Sequence, residues 1–143
     1  MGRANAAAKT KDLFRFELVE VDKLRGHEQL RPDLLESLTS QIESDGVLLK
    51  PILVAASHYV ILDGHHRYAA LKGLGCRRIP AFLVDYFSDT VDLGLWPTAQ
   101  VPSVTKEEVV DRGRRGRPFS PKTTRHRLTF TLPDRPTRLA DLR

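Results

Sequence analysis

The sequence predicts an α+β fold whose elements follow the order β-α-β-β-α-β. An alternating apolar segment near the start is typical of a strand, and two later segments carry apolar residues at helical spacing. Short apolar runs flank the second of these helices. With 143 residues, 41% of them apolar, the chain is long enough to bury one core. We therefore expect one α+β core over residues 14–87, followed by a short, irregular and basic C-terminal extension.

The first part of this core contains one strand and one helix. Phe14–Val21 alternates between apolar and polar side chains, which predicts a strand. After a polar connection, Pro32 suits the first turn of a helix because it needs no backbone N–H there. Gly46 is placed to end that helix. Its apolar face consists of Leu34, Leu35, Leu38 and Ile42.

The second part of the core contains three strands and a helix. Ile52–Ala55 and Tyr59–Leu62 are apolar runs joined by a short polar turn, which indicates two strands. The helix begins at Gly64 and is stopped by Gly73 and Gly75. Ile79–Tyr86 follows it as another buried strand. The strand that runs directly into a helix at Gly64 becomes the main candidate for a functional site.

The segment after residue 87 is less regular. Val91–Pro102 is predicted as an apolar loop. Thr105 and Glu108 form a capping box that opens a short helix to about Arg112. Leu128–Leu132 alternates again and could add a strand.

Charge is unevenly distributed along the chain. Residues 1–111 have a net charge of −3, whereas residues 112–143 have a net charge of +8. A basic C-terminal segment suits nucleic acid, a nucleotide polyphosphate or a solvated surface equally. We expect residues 1–13 and 133–143 to be flexible tails, with 88–132 packed on the core.

The turn after the second predicted strand has the chemistry of an anion site. Asp63 fits the helix N-cap, and Gly64 lets the backbone approach a ligand closely. The free N–H groups of a first helical turn favour an anion, and Arg67 adds a planar donor suited to phosphate. His65 and His66 could bond phosphate oxygens; zinc is disfavoured because adjacent histidines on a helix diverge.

Three further features are ambiguous from the residues alone. Glu28, next to His27, is a loop carboxylate of a kind that is usually solvated. Trp96 could be a core residue or the wall of a pocket. A polar run near the C-terminus could be ordinary basic loop or could bind a carboxylate or phosphate. It comprises Lys122, Thr123, Thr124, Arg125 and His126.

Three separated motifs resemble the ParB/sulfiredoxin superfamily, and most closely its free L-serine kinases. They are His27-Glu28, Asp63-Gly64-His65-His66-Arg67 and Lys122-Thr123-Thr124-Arg125-His126. Sulfiredoxins need a cysteine directly after the glycine of the second motif. His65 stands there instead, which excludes the sulfiredoxin reaction.

The resemblance implies a ParB/sulfiredoxin-like core that phosphorylates free L-serine with ADP or ATP. Glu28 would be the catalytic base and Asp63 a second catalytic residue, while residues 64–67 would hold the donor phosphates. Mg²⁺ would be bound mainly by those phosphates. The amino acid would be held by His27, Trp96, Lys122, Thr123, Thr124, Arg125 and His126.

The alternative is a ParB-like, CTPase-type module that binds nucleotide and associates with DNA. The segment after residue 87 is poor material for a helix-turn-helix domain, so this alternative is less favoured, although its basic residues could contact phosphate backbones. Cys76, the single cysteine, excludes an internal disulfide and is expected to be inert. No apolar run is long enough for a membrane span, and a cytoplasmic protein is expected.

Overall fold

The computed structural model describes residues 13–143, so the predicted tail over 1–13 lies outside it except for its last residue. The strands are β1 (Arg15–Glu20), β2 (Val47–Leu48), β3 (Ile52–Ala55), β4 (Ile61–Asp63), β5 (Arg78–Val84), β6 (Val91–Leu95), β7 (Thr124–Leu128) and β8 (Thr137–Arg138). The helices are α1 (Pro32–Asp45), α2 (His65–Gly73) and α3 (Lys106–Arg115). Within these residues, no helix has the length and apolar character that crossing a membrane requires.

A four-stranded sheet in the order β1-β5-β3-β4 forms the centre of the molecule. β5 pairs antiparallel with β1 and parallel with β3, and β4 pairs antiparallel with β3. Every residue of β3, and all but the first of β5, is buried, as expected for strands covered on both faces. The predicted β-α-β-β-α-β order is confirmed, with the two-residue strand β2 added after α1.

The two faces of the sheet bury different sets of residues. Ile52 and Val54 lie on the face covered by α1 and α2, where Leu71 is fully buried. The alternate residues Leu53 and Ala55 lie on the opposite face, packed with α3 and the ribbon formed by β6 and β7. This alternation is the period of two that a strand imposes on its side chains.

The first helix follows its sequence signals closely. Pro32 is the first residue of α1, and Gly46 ends it in the left-handed conformation at φ 68°. The Gly46 N–H donates to the Ile42 carbonyl at 2.9 Å, which satisfies one of the last helical carbonyls. Both predicted boundaries of α1 are confirmed.

The β6–β7 ribbon differs from the prediction. Residues 91–95 were expected in a loop but form a strand, and Leu95 pairs with Thr124 while Val91 pairs with Leu128. The strand expected at 128–132 runs instead over 124–128. β7 has mostly polar side chains, so its pairing depends on the backbone and on the partner strand rather than on an apolar pattern.

The capping box at Thr105 is confirmed, and α3 continues to Arg115, beyond the predicted end at Arg112. Gly113 lies inside this helix, where glycine is usually unfavourable. A Cβ atom at this position would stand 2.9 Å from Val60 Cγ1. The glycine therefore permits a close approach of α3 to the sheet.

The expectation of a flexible tail over 133–143 is wrong for its second half. β8 pairs with β2, and the side chain of Leu142 is fully buried beside that of Leu139. The N–H of Arg77 donates to the Leu142 carbonyl at 2.7 Å. Leu139 and Leu142 pack into the part of the core that α1 and α2 cover. The nearby prolines in the sequence had instead favoured a disordered tail.

Candidate active site

A cavity of about 340 Å³ lies between the loop that follows residue 26, the start of α2 and the β6–β7 ribbon. Most of the residues predicted for the site line it, and three that were not predicted, Gln29, Leu38 and Leu62, join them. The predicted residues in the lining are Glu28, Asp63, Gly64, His65, His66, Arg67, Trp96, Lys122 and Thr124. His27, Thr123, Arg125 and His126 do not line it.

Glu28 is held rigidly at the edge of this cavity. Its Oε1 accepts the backbone N–H of Lys122 at 3.0 Å, and its Oε2 accepts the backbone N–H of Thr124 at 2.9 Å. The Thr124 hydroxyl donates to the same Oε2 atom. Its side chain is 12% exposed. Three donors fix this carboxylate, so it is not the solvated loop residue that its sequence position suggests.

His27 stands directly behind Glu28 and is fully buried. Its Nδ1 atom lies 2.7 Å from the Ile61 carbonyl, and its Nε2 atom lies 2.7 Å from the Thr124 hydroxyl. Burial lowers the pKa of His27, and the nearby carboxylate of Glu28 opposes this shift. The expected contact of His27 with the amino acid is wrong because no part of its side chain reaches the surface.

The turn from β4 into α2 is built around Gly64. Gly64 is the N-cap residue at φ 101°, and a Cβ atom there would lie 2.6 Å from Ile52 Cγ2. The prediction of Asp63 as N-cap is wrong: it is the last residue of β4, and its side chain is 73% exposed at the cavity. Because the N-cap residue has no side chain, the N–H groups of the first turn face the cavity free of a side-chain cap.

The two histidines of this turn fix the neighbouring loop. The Nε2 atom of His65 accepts the backbone N–H of His27 at 3.0 Å, and the Nε2 atom of His66 accepts that of Arg31 at 2.9 Å. Both rings must be neutral to accept these bonds. Burial, followed by the charge of His27, places the pKa of His65 well below 6.5, and burial likewise lowers that of His66. The Nε2 atoms therefore bind the backbone of the loop that carries Glu28, and the predicted contact of these histidines with phosphate stays a prediction.

Arg67 is anchored to the protein backbone. Its Nη1 atom donates to the carbonyls of Lys50 and Pro51 at 2.9 and 3.1 Å, and its Nη2 atom lies 3.6 Å from Asp63 Oδ2. The remaining edge of the guanidinium lines the cavity. Its positive charge is thereby held in one place beside the first turn of α2.

Trp96, directly after β6, and Lys122, shortly before β7, form the opposite wall. Trp96 is half-buried, with the Arg125 guanidinium 4.5 Å and the Lys122 ammonium 5.6 Å from its ring. The Thr123 hydroxyl donates to the Ser120 carbonyl at 2.7 Å and is buried. Of this motif, Lys122 and Thr124 reach the cavity, while Thr123 stabilises a turn.

His126 lies away from the cavity lining, packed against Tyr86. Its Nε2 atom is 2.8 Å from the Tyr86 hydroxyl, and its ring centre is 5.8 Å from that of His27. Burial, with His27 nearby as the second cause, lowers the pKa of His126 to about 3. His126 lines a smaller neighbouring cavity together with Asp63 and Arg67, so its predicted contact with the amino acid stays a prediction. The sequence has no signal that would pair it with Tyr86, 40 positions away.

An uncapped helix N-terminus thus faces a fixed carboxylate across one cavity of an α+β domain. The chain belongs to the ParB N-terminal domain family, whose model matches residues 4–95. This confirms the family resemblance that the motifs suggested. The matched range ends at the last residue of β6, before α3 and β7.

Relatives with assigned activities are similar to part of this chain. An ATP-dependent L-serine kinase from Staphylothermus marinus is 41% identical over 104 residues, which cover 68% of this chain and 41% of that protein. An ADP-dependent L-serine kinase, SerK, from Thermococcus kodakarensis is 39% identical over 101 residues, covering 68% of this chain and 41% of that protein. The chain spans about two fifths of the length of these curated relatives.

Solved structures share the fold over most of the chain. A free serine kinase in complex with AMP superposes with a TM-score of 0.78 at 24% identity, covering 90% of this chain and 93% of that chain. A conserved hypothetical protein from Pyrococcus furiosus gives the same TM-score and identity, covering 90% of this chain and 97% of that one. The predicted ParB-like fold is confirmed by these similarities.

Proposed function

We propose that this protein transfers a phosphoryl group from ADP or ATP to the hydroxyl of free L-serine, which gives O-phospho-L-serine. The observation that carries the proposal is the pairing, in one cavity, of a fixed carboxylate with a first helical turn suited to phosphate. Relatives that share 39–41% identity with this chain are L-serine kinases, which supports the same reaction and both donor nucleotides.

The hydrogen bonds of Glu28 suit it to the role of base. A carboxylate has about four acceptor positions, two on each oxygen. Among residues 13–143, donors occupy both positions of Oε2 and one of Oε1. The remaining position on Oε1 is available to a substrate hydroxyl. In phosphoryl transfer the attacking hydroxyl must be oriented and its proton accepted, and Glu28 would do both.

The donor phosphates would lie at the first turn of α2. Its backbone N–H groups, the helix dipole and the anchored charge of Arg67 all favour an anion there. Asp63 is exposed beside this turn, and its carboxylate is placed to share Mg²⁺ with the phosphates. That ion would neutralise charge on the transferred group, which otherwise would be repelled by Asp63.

The amino acid would lie between Glu28 and the ribbon. Lys122 is exposed and lines the cavity, so its ammonium is placed to bind the serine carboxylate. Trp96 would form the apolar wall beside it. Thr123 is already bonded to Ser120, so it contributes to this site only through the turn that it stabilises.

The rival function is a nucleotide-binding module that associates with DNA. Within residues 88–143, the chain forms a two-stranded ribbon, one α-helix packed on the sheet and a short strand that joins the core. Because α3 packs against the sheet, this arrangement disfavours a helix-turn-helix domain. Mobility-shift assays across salt concentrations separate the two functions, because retention of DNA without phosphoserine formation would favour the rival.

The decisive experiment is to incubate the protein with L-serine, Mg²⁺ and either ADP or ATP, and to follow phosphoserine by ³¹P NMR. Glu28→Gln should reduce turnover by about 10²–10⁴ because it keeps size and polarity but cannot accept the proton. Glu36→Gln, on the exposed face of α1, is the matched control and should retain native turnover. Absence of phosphoserine with both nucleotides would refute the proposal.

A further inference from the structure

The Thr124 hydroxyl lies between two groups that both accept hydrogen bonds. One is Oε2 of Glu28, and the other is Nε2 of His27 at 2.7 Å. A hydroxyl has one hydrogen to donate. It can therefore satisfy only one of these two neighbours at a time, unless one of them has gained a proton.

His27 is held as the neutral ring with its hydrogen on Nδ1. The Ile61 carbonyl, 2.7 Å from Nδ1, can only accept, so Nδ1 must donate to it. The ring is fully buried, which disfavours the imidazolium. Nε2 therefore presents a lone pair to Thr124, and an ionised Glu28 competes with it for the same hydrogen.

We propose that Thr124 and His27 are positioning residues that together form a hydroxyl switch for Glu28. While Glu28 is ionised, the Thr124 hydroxyl donates to Oε2. When Oε1 takes the proton of the acceptor hydroxyl, Oε2 becomes a weaker acceptor and the Thr124 hydroxyl turns to Nε2 of His27. One O–H bond breaks in the substrate and one forms on Glu28, while the hydroxyl of Thr124 only rotates.

When Glu28 is protonated, His27 accepts a hydrogen bond from Thr124 that it lacks when Glu28 is ionised. His27 gains its donor only when Glu28 is neutral, so His27 favours proton uptake. Thr124, by donating to the carboxylate, favours the ionised state. The two residues thus act on Glu28 in opposite directions, which a merely structural role would not produce.

Other titratable groups surround this unit from the elements packed on it. His65 of α2 has its ring centre 4.7 Å from that of His27, and His126 of β7 lies 5.8 Å away. The cavity side adds His66, whose pKa the charges of Glu28 and Lys122 both influence, and Lys122, whose backbone N–H donates to Glu28. Because variants at positions 27 and 124 leave all four in place, differences between those variants report on the switch.

The test is a ¹³C NMR titration of the Glu28 carboxyl in the full chain, which needs no catalytic activity. His27→Asn keeps a donor for the Ile61 carbonyl but removes Nε2, and its midpoint should fall by about one pH unit. Thr124→Val removes the hydroxyl from both states, and its midpoint should rise by a smaller amount because the lost bond to the charged carboxylate is the stronger of the two. Thr124→Ser retains the hydroxyl and should titrate like the native protein. Shifts of both variants in one direction, or no shift, would overturn the proposal.

Native protein alone supplies a second readout should Thr124→Val fail to fold. The ¹⁵N shifts of His27 should report an Nδ1–H tautomer with Nε2 unprotonated throughout the Glu28 titration. If Nε2 of His27 became protonated at the Glu28 midpoint, the ring would carry a positive charge, and the switch would be refuted.

The catalytic part of the inference rests on the proposed function. The acid limb of kcat/KM for serine should move in the same opposite directions in the two variants. If phosphoserine does not form, the proposed function fails while the carboxyl titration still decides the switch.

Discussion

Replacing His126 with glutamine should make the stability of this protein less sensitive to acid. Burial lowers the pKa of His126 from 6.5 to about 3, with the nearby His27 as the second cause. The folded protein therefore keeps this ring neutral at pH values where the unfolded chain binds a proton. Glutamine does not titrate, yet it can still accept a hydrogen bond from Tyr86, which lies 2.8 Å from Nε2 of the native ring.

The sign and size of the effect follow from the two pKa values. Because the folded-state pKa is depressed, the stabilisation is complete above pH 6.5 and is lost as the pH falls towards 3. Each pH unit within that window costs about 1.4 kcal/mol, the free energy of one proton bound only by the unfolded chain. Between pH 7 and pH 4 the native protein should lose about 3 kcal/mol more stability than His126→Gln.

Urea unfolding at half-unit pH steps, followed by circular dichroism, measures this difference. Contributions from His66 and the carboxylates are present in both proteins, so they cancel in the difference between the two curves. That of His65 cancels only in part, because His126 is one cause of its lowered pKa. A constant offset between native protein and variant from pH 7 to pH 4 would refute the reasoning, because it would mean that His126 titrates alike in both states.

Two further predictions concern stability. Gly64→Ala should cost about 1–3 kcal/mol, because φ 101° is unfavourable for alanine and its Cβ would collide with the sheet; Gly46→Ala, at φ 68° with open space around it, should cost less. Equal losses in urea unfolding would contradict the steric part of this argument. Leu142→Ala should cost about 2–5 kcal/mol, whereas Leu49→Ala, at a half-exposed position, should cost much less. A negligible effect of Leu142→Ala would mean that this segment does not pack stably on the core.

Signals that act within a few residues allowed the core to be predicted. Pro32 and Gly46 mark the ends of α1, because each fixes its own backbone conformation. The strand–turn–helix unit at Gly64 was predicted for a similar reason, since a glycine between a buried strand and a helix has few other uses. The same reasoning fails for Asp63. Gly64, in the left-handed conformation, is the N-cap residue instead, and the Asp63 carboxylate lies at the cavity.

Contacts between distant residues could not be predicted. Glu28 and Thr124 are 96 positions apart, and no periodicity in either segment indicates that their side chains meet. Residue type alone could not show that Nε2 of His65 and Nε2 of His66 each accept a backbone N–H. The ribbon was missed in part because β7 is polar, so that only its pairing with β6 defines it as a strand.

The division of the cavity between two stretches of chain has a consequence for how such proteins diversify. The stretch that matches the family supplies Glu28 and the turn from Asp63 to Arg67, while Lys122 and Thr124, which fix Glu28, come from beyond its end. An exchange of the later stretch between relatives would change the groups that fix Glu28 and leave the turn at Gly64 unchanged. The two sides of this cavity can therefore diverge separately, because the chain supplies them from separate stretches.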